Sequence, residues 1–338
     1  MRFEFYHPGI DATPKLSLDG TVSNSVHFSH WQGNETPAEV KADTSTEIAL
    51  NLVASPNRDR LTRGIDLVTN NHFDTDGVLS VWTVLTGEPA FELRDKLISA
   101  AEAGDFSELT SDDGVRASLT IQGPDPAGNE SDSGSPLAKH LNGGAVENDA
   151  RAYELILPEV ERVLTNINAY EDLWREGWGR IATAVENFEN KKSTVEELAD
   201  VGLSIITLAP ATFGARGFDP AKHATPFTAI SRYARGQLFV IGTPYKNGWS
   251  YRLDYPYYSW AETVVRARIE RRDLTSMIAR LNDLETSTEG RWQADGSEMA
   301  SAIKFRDQAG KLGASHLQPD EIAKAVREEL QARSATVA

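Results

Sequence analysis

The stretch GIDLVTNNHFDTDGVLSVWTVL (residues 64–85) decides how the rest of the chain is read. It opens with the apolar run Ile65, Leu67 and Val68, the pattern of a buried strand. Asn70, Asn71, His72, Asp74 and Asp76 follow at once, Gly77 breaks the run, and residues 78–85 resume an apolar pattern that suits a packed helix. In an open α/β sheet, ligands bind beyond the carboxyl ends of the strands, which is where such a polar loop lies. The expected fold is therefore α/β: an open, mostly parallel sheet flanked by helices, with a second, smaller α/β domain.

His72, Asp74 and Asp76 alternate along this loop. In extended backbone alternate side chains point the same way, so one imidazole and two carboxylates can converge on one spot. Converging anionic acceptors repel one another unless a cation sits among them. A mixed imidazole and carboxylate set favours Mn2+, Mg2+, Fe or Zn2+ over soft-metal chemistry. The same residues also fit a plain helix start, in which Asp74 or Asp76 caps, Gly77 turns and His72 is solvated.

The run from His72 to Ser80, His-Phe-Asp-Thr-Asp-Gly-Val-Leu-Ser, resembles the first motif of the DHH phosphoesterase superfamily: a strand, an Asp-x-Asp-x-Asp-Gly turn, and a small-residue helix start with Ser. His72 takes the place of the first aspartate. Phe28-Ser29-His30-Trp31, followed by Asp43-Thr44-Ser45-Thr46-Glu47, is similar to two further units of that superfamily, an Asp-His-His strand end and an Asp/Ser/Thr/Glu helix opening. Ser29 and Trp31 stand where the superfamily has an aspartate and a second histidine. The order of the units is reversed, as in a circular permutation. Asp105, in Ala103-Gly104-Asp105-Phe106, looks like a lone aspartate that joins the metal shell in the superfamily; a helix stop with a solvated aspartate reads equally well from the residues alone.

The resemblance implies hydrolysis of a phosphoester or phosphoanhydride around one or two divalent ions, Mn2+ first and Mg2+ second. The implied ligands are His30, His72, Asp74, Asp76 and Asp105. His30 and Asp74 are the implied catalytic pair, His30 as a ligand or as an acid near the leaving group. The departure at Ser29-His30-Trp31 keeps a rival open, a catalytically inactive relative that binds a nucleotide or phosphometabolite.

Composition bounds these readings. The 338 residues suffice for two domains, drawn here as 1–190, carrying the metal motifs, and 191–338, a smaller substrate or interaction domain, with Lys191-Lys192-Ser193-Thr194 as linker. There is no cysteine, which excludes disulfides and thiolate metal sites. A net charge of −16 opposes tight binding to long nucleic acid. A small phosphorylated compound or a short oligonucleotide is the expected ligand. No apolar run is long enough to span a bilayer and the N-terminus lacks the apolar core of a signal peptide, so a cytoplasmic location is expected, with no membrane partner; a homodimer is compatible with the sequence.

Along the remaining chain, residues 2–6 and 22–28 read as strands, and Thr44 with Glu47 forms a capping box that starts a helix. Residues 91–103 have helical spacing, residues 117–121 read as a short strand, and residues 123–136 are turn-rich. His140, close to Gly143-Gly144, is a candidate for phosphate binding beside backbone N–H groups, or a helix end. Residues 148–190 are helical with a break at Pro158. Residues 201–208, 238–243 and 249–253 read as strands, the last two as a hairpin. Residues 255–260 are aromatic-rich, and Arg266, Arg268, Arg271 and Arg272 form either a phosphate clamp or a solvated face. Residues 274–284 and 320–331 read as amphipathic helices.

Overall fold

Four short strands form the first sheet of the computed structural model, which describes residues 1–124, 134–296 and 299–337. They are β1 (Arg2–Phe3), β2 (Lys15–Leu18), β3 (Ser25–Phe28) and β4 (Leu67–Thr69). Their spatial order is β1-β4-β2-β3 and every pairing is parallel. All four carboxyl ends therefore open on one edge, the edge where polar loops can gather without breaking the sheet. Parallel sheets are covered on both faces, and β2 and β4 are buried at every residue.

The helices of this unit are α1 (Ser45–Ala54), α2 (Arg58–Leu61), α3 (Thr75–Thr86), α4 (Arg94–Asp105), α5 (Asp112–Ile121), α6 (Pro136–Asn142), α7 (Asp149–Ile156) and α8 (Val160–Thr165). The capping box starts α1 as expected: Thr44 is extended, and its side chain accepts from the Glu47 N–H. The expected strand at 117–121 is instead the last half of α5. Ser111 caps that helix by accepting from Gly114 N, and Asp112 and Asp113 sit in its first turn, where the helix dipole favours them. The alternating Ala117-Ser118-Leu119-Thr120-Ile121 misled because all five residues are buried and no solvent face reveals the period. Pro158 falls in a 3-10 turn between α7 and α8. Most of the turn-rich segment 123–136 lies outside the described residues.

The chain divides into two compact units, Met1–Gly179 with Trp260–Arg268, and Arg180–Ser259 with Ile269–Ala338. α9 (Glu171–Glu189) carries the chain from the first into the second. The second unit holds a mixed six-stranded sheet in the order β5-β6-β7-β8-β10-β9, from β5 (Thr194–Leu198), β6 (Leu203–Thr207), β7 (Leu238–Tyr245), β8 (Gly248–Asp254), β9 (Gly290–Ala294) and β10 (Ser301–Asp307). Only β6 and β7 run parallel. β7 and β8 form the expected hairpin, closing at Tyr245 opposite Gly248. Alternation sorts the side chains: Leu203, Ile205 and Val240 face a core shared with Leu281 of α11 (Thr275–Leu284) and Val326 of α12 (Pro319–Val337), whereas Ile206, Phe239 and Ile241 face Phe227 and Ile230 of α10 (Phe227–Ser231). No helix among the described residues is long and apolar enough to cross a membrane.

Candidate metal centre

The carboxyl ends of β2, β3 and β4 deliver Asp19, His30 and the Asn70–Asp76 loop to one edge of the first sheet. Asp19 directly follows β2 with φ of 55°, a left-handed conformation that aspartate tolerates better than most residues. Its Oδ1 accepts from Ser45 Oγ at 2.9 Å and from Trp31 Nε1 at 3.3 Å. Its Oδ2 lies 3.1 Å from His72 Nε2 yet accepts no hydrogen bond. His30, two residues beyond β3, has Nδ1 3.3 Å from Ser45 Oγ and 3.5 Å from Asp76 Oδ2. Its Nε2 is 3.1 Å from Asp105 Oδ2 and 3.9 Å from Asp19 Oδ1. Both His30 Nε2 and Asp105 Oδ2 are buried without a hydrogen bond. Polar atoms this close, buried and unbonded, are what ligands to a common cation look like.

Two sets of atoms that could hold a cation result, each gathered within 4.8 Å: Asp19, His30, Asp76 and Asp105, and Asp19, His72 and Asp74. Asp19 belongs to both. His72, Asp74 and Asp76 therefore do not converge on one spot as their alternation suggested. The extended loop ends at Asp74, and α3 begins at Thr75, so Asp76 sits in the first helical turn and points elsewhere. There Asp76 Oδ2 accepts from Ser45 N at 2.7 Å and Oδ1 from Thr46 N at 2.8 Å, tying the start of α1 to the start of α3. Asp74 is the N-cap of α3: its Oδ1 accepts from Gly77 N at 2.7 Å while its Oδ2 lies 2.9 Å from His72 Nε2. A carboxylate has two oxygens, so capping through Oδ1 leaves Oδ2 available to a cation.

Gly77 is required for a steric reason. A Cβ there would lie 2.7 Å from Tyr153 Oη and 3.0 Å from Asp74 Oδ1, with Asn70 Nδ2 closer still. Asn70 Nδ2 and Tyr153 Oη are themselves buried without partners.

Electrostatics follow from this crowding. Burial, then the nearby Asp74 and Asp76, push Asp19 and Asp105 well above the usual carboxylate range. Burial also raises Asp76, against the pull of His30. Asp74 is pushed up by burial but held below its ordinary value by His72 and the Gly77 N–H. Burial lowers His72, yet Asp74 and Asp19 outweigh it and push the imidazole up to about 12. Tyr153 is raised well above its ordinary value by burial and then by Asp74, so it keeps its proton. Carboxylates crowded in this way repel one another less when a cation sits in their midst.

Asp19 was not legible as a site residue. Lys15 hides β2 by placing a charge in a fully buried strand; its Nζ donates to the carbonyls of Ile10, Asp11, Thr13 and Asn24. His140 joins neither ligand set. It is exposed in the last turn of α6, which Gly143 ends in the left-handed conformation, so the helix-end reading describes it. Arg266 binds Asp43, Glu102 and Glu108, while Arg271 lies over the Tyr255 ring.

Fold and site together define an α/β protein with a buried carboxylate and imidazole centre at the carboxyl edge of a parallel sheet. The chain belongs to a family of unknown function (DUF6687), whose model matches residues 3–338. No curated protein matches it. Among solved structures it is similar to a pGpG-specific phosphodiesterase, PggH from Vibrio cholerae, at 10% identity and a TM-score of 0.34 over 97% of this chain and 90% of that one.

Proposed function

We propose that the protein is a divalent-metal-dependent phosphoric ester hydrolase, a permuted relative of the DHH phosphoesterases, acting on a small phosphorylated compound or short oligonucleotide. The observation that carries this reading is the pair of ligand sets joined through the Asp19 carboxylate. Asp19, His30, Asp76 and Asp105 would hold one cation, and Asp19, His72 and Asp74 a second. The donor set suits Mn2+ or Mg2+. Bound cations would supply Lewis acidity toward phosphoryl oxygens and lower the pKa of bound water toward ~7.

The chain's own residues do the positioning. Ser45 and Trp31 fix the Asp19 carboxylate, and Gly77 N fixes Asp74, so neither needs to reorganise when a substrate arrives. His72 and Asp74, with side chains 28% and 20% exposed, are the part of the centre that a phosphoester can reach. The His30 side chain is 0% exposed, so we read it as a ligand rather than as an acid for the leaving group. Asp19 supplies a carboxylate that the Ser29-His30-Trp31 turn lacks, which favours turnover over the non-catalytic alternative. The acidic chain favours small substrates over long polymers.

The test is metal-stripped protein assayed with bis(p-nitrophenyl) phosphate before and after Mn2+ is restored. Mn2+-dependent release of nitrophenolate that Asp74→Asn abolishes supports the reading. Stoichiometric Mn2+ with no hydrolysis of this or other generic phosphoesters would leave only the binding protein.

A further inference from the structure

The two ligand sets meet solvent differently. The side chains of Asp19, His30 and Asp76 are 0% exposed and that of Asp105 is 4% exposed, against the partly open His72 and Asp74. The inner set is covered by the segment Trp260–Arg268, which packs within the first unit. The Trp260 ring lies 5.0 Å from the His30 imidazole and 5.2 Å from Trp31. Glu262 N donates to the His30 carbonyl at 2.7 Å, and the Glu262 carboxylate accepts from Gly33 N at 3.0 Å and Asn34 Nδ2 at 2.8 Å.

Farther along, three consecutive amides, Val264, Val265 and Arg266, donate into the Asp43 carboxylate. The Arg266 guanidinium then closes on Asp43 at 2.8 Å, Glu102 at 2.6 Å and Glu108 at 2.7 Å. Beyond Trp260 the segment has no helix or strand of its own. Val264 and Val265 are 57% and 89% exposed, so apolar burial does little to hold this stretch down. What holds it is a set of polar anchors that can release together, the kind of local opening that costs less than unfolding.

We infer that residues 260–268 form a strap that traps a cation in the inner position, while the outer position exchanges freely with solvent. This rests on the paired-cation reading above. It assigns the two positions different work: the closed one, with four protein ligands, keeps a resident ion, and the open one, with three, keeps room for water and substrate.

The experiment loads the full chain with Mn2+, adds excess chelator, and measures protein-bound Mn in desalted samples over time. Two phases of equal amplitude are expected, the slow one at least about ten-fold slower, which a 1.4 kcal/mol higher barrier produces. Arg266→Met and Trp260→Ala should each speed the slow phase at least about ten-fold, leaving the fast phase and the saturating Mn content unchanged. Circular dichroism confirms that each variant is folded, and either variant alone suffices. A single phase overturns the strap, as does a slow phase that neither variant moves. No retained Mn at saturation instead overturns the paired-cation reading itself.

Discussion

Asp105→Asn separates the cost of gathering carboxylates from the gain of binding a cation. Asp105 ends α4 with its Oδ2 unbonded, and burial with Asp74 and Asp76 holds its pKa well above normal. In the cation-free protein asparagine therefore removes a repulsion and strands no hydrogen-bond donor among the described residues, so stability should stay within about 1 kcal/mol of wild type. With Mn2+ at about 100 times the inner site's dissociation constant, that site alone adds ~2.7 kcal/mol to the wild type. For a unit of this size that is about 5–10 °C in Tm. Losing one of four inner ligands should weaken affinity at least about 100-fold, more than loss of a supporting residue does. At the same Mn2+ concentration the inner site's contribution falls to ~0.4 kcal/mol, or about 1–2 °C, while the outer site's is kept. Thermal unfolding with and without Mn2+ reads both quantities. An undiminished Mn2+ shift in the variant, or a loss of more than about 3 kcal/mol without metal, would refute the role given to Asp105.

Three further outcomes are expected. Asp76→Ala, unlike Asp105→Asn, should destabilise the cation-free protein by about 2–5 kcal/mol, because Ser45 N and Thr46 N lose charge-assisted bonds; a denaturant titration matching wild type would contradict it. Gly77→Ala should lower stability by about 1–3 kcal/mol through overpacking against Tyr153 and Asn70, although alanine normally favours a helix by up to ~1 kcal/mol; a stabilised variant would contradict the close approach. Asp43 is pushed up by burial, but the Val265, Val264 and Arg266 amides and the Arg266 guanidinium hold it below its ordinary value of 3.8. A depressed carboxyl stabilises above its unfolded pKa, and that contribution is lost as pH falls through the lower folded value. The strap should therefore stay down at about pH 5 and loosen only below about pH 4, read as acrylamide quenching of Trp260 by difference from Trp260→Phe; loosening between about pH 5 and 7 would contradict the Asp43 anchor.

The central stretch was legible because its physics is local: an apolar strand, a polar loop and a capped helix fall within 22 residues, 64–85. The same holds for the capping box at Thr44 and the hairpin of β7 and β8. What escaped depends on distance along the chain. Asp19 follows a strand of four buried residues that includes a lysine, and only folding shows that four carbonyls satisfy its ammonium. Arg266 finds Asp43 across 223 positions, a pairing no local pattern encodes. The split of Asp74 and Asp76 between two ligand sets hinges on where the loop becomes helix, a boundary that periodicity fixes poorly.

The most direct test of the shared centre is native mass spectrometry of Mn2+-loaded wild type and Asp19→Asn. Because both ligand sets use Asp19, the wild type should carry two ions per chain and the variant should lose both at the same free Mn2+. A wild type that binds none, or a variant that still carries two, would contradict the account.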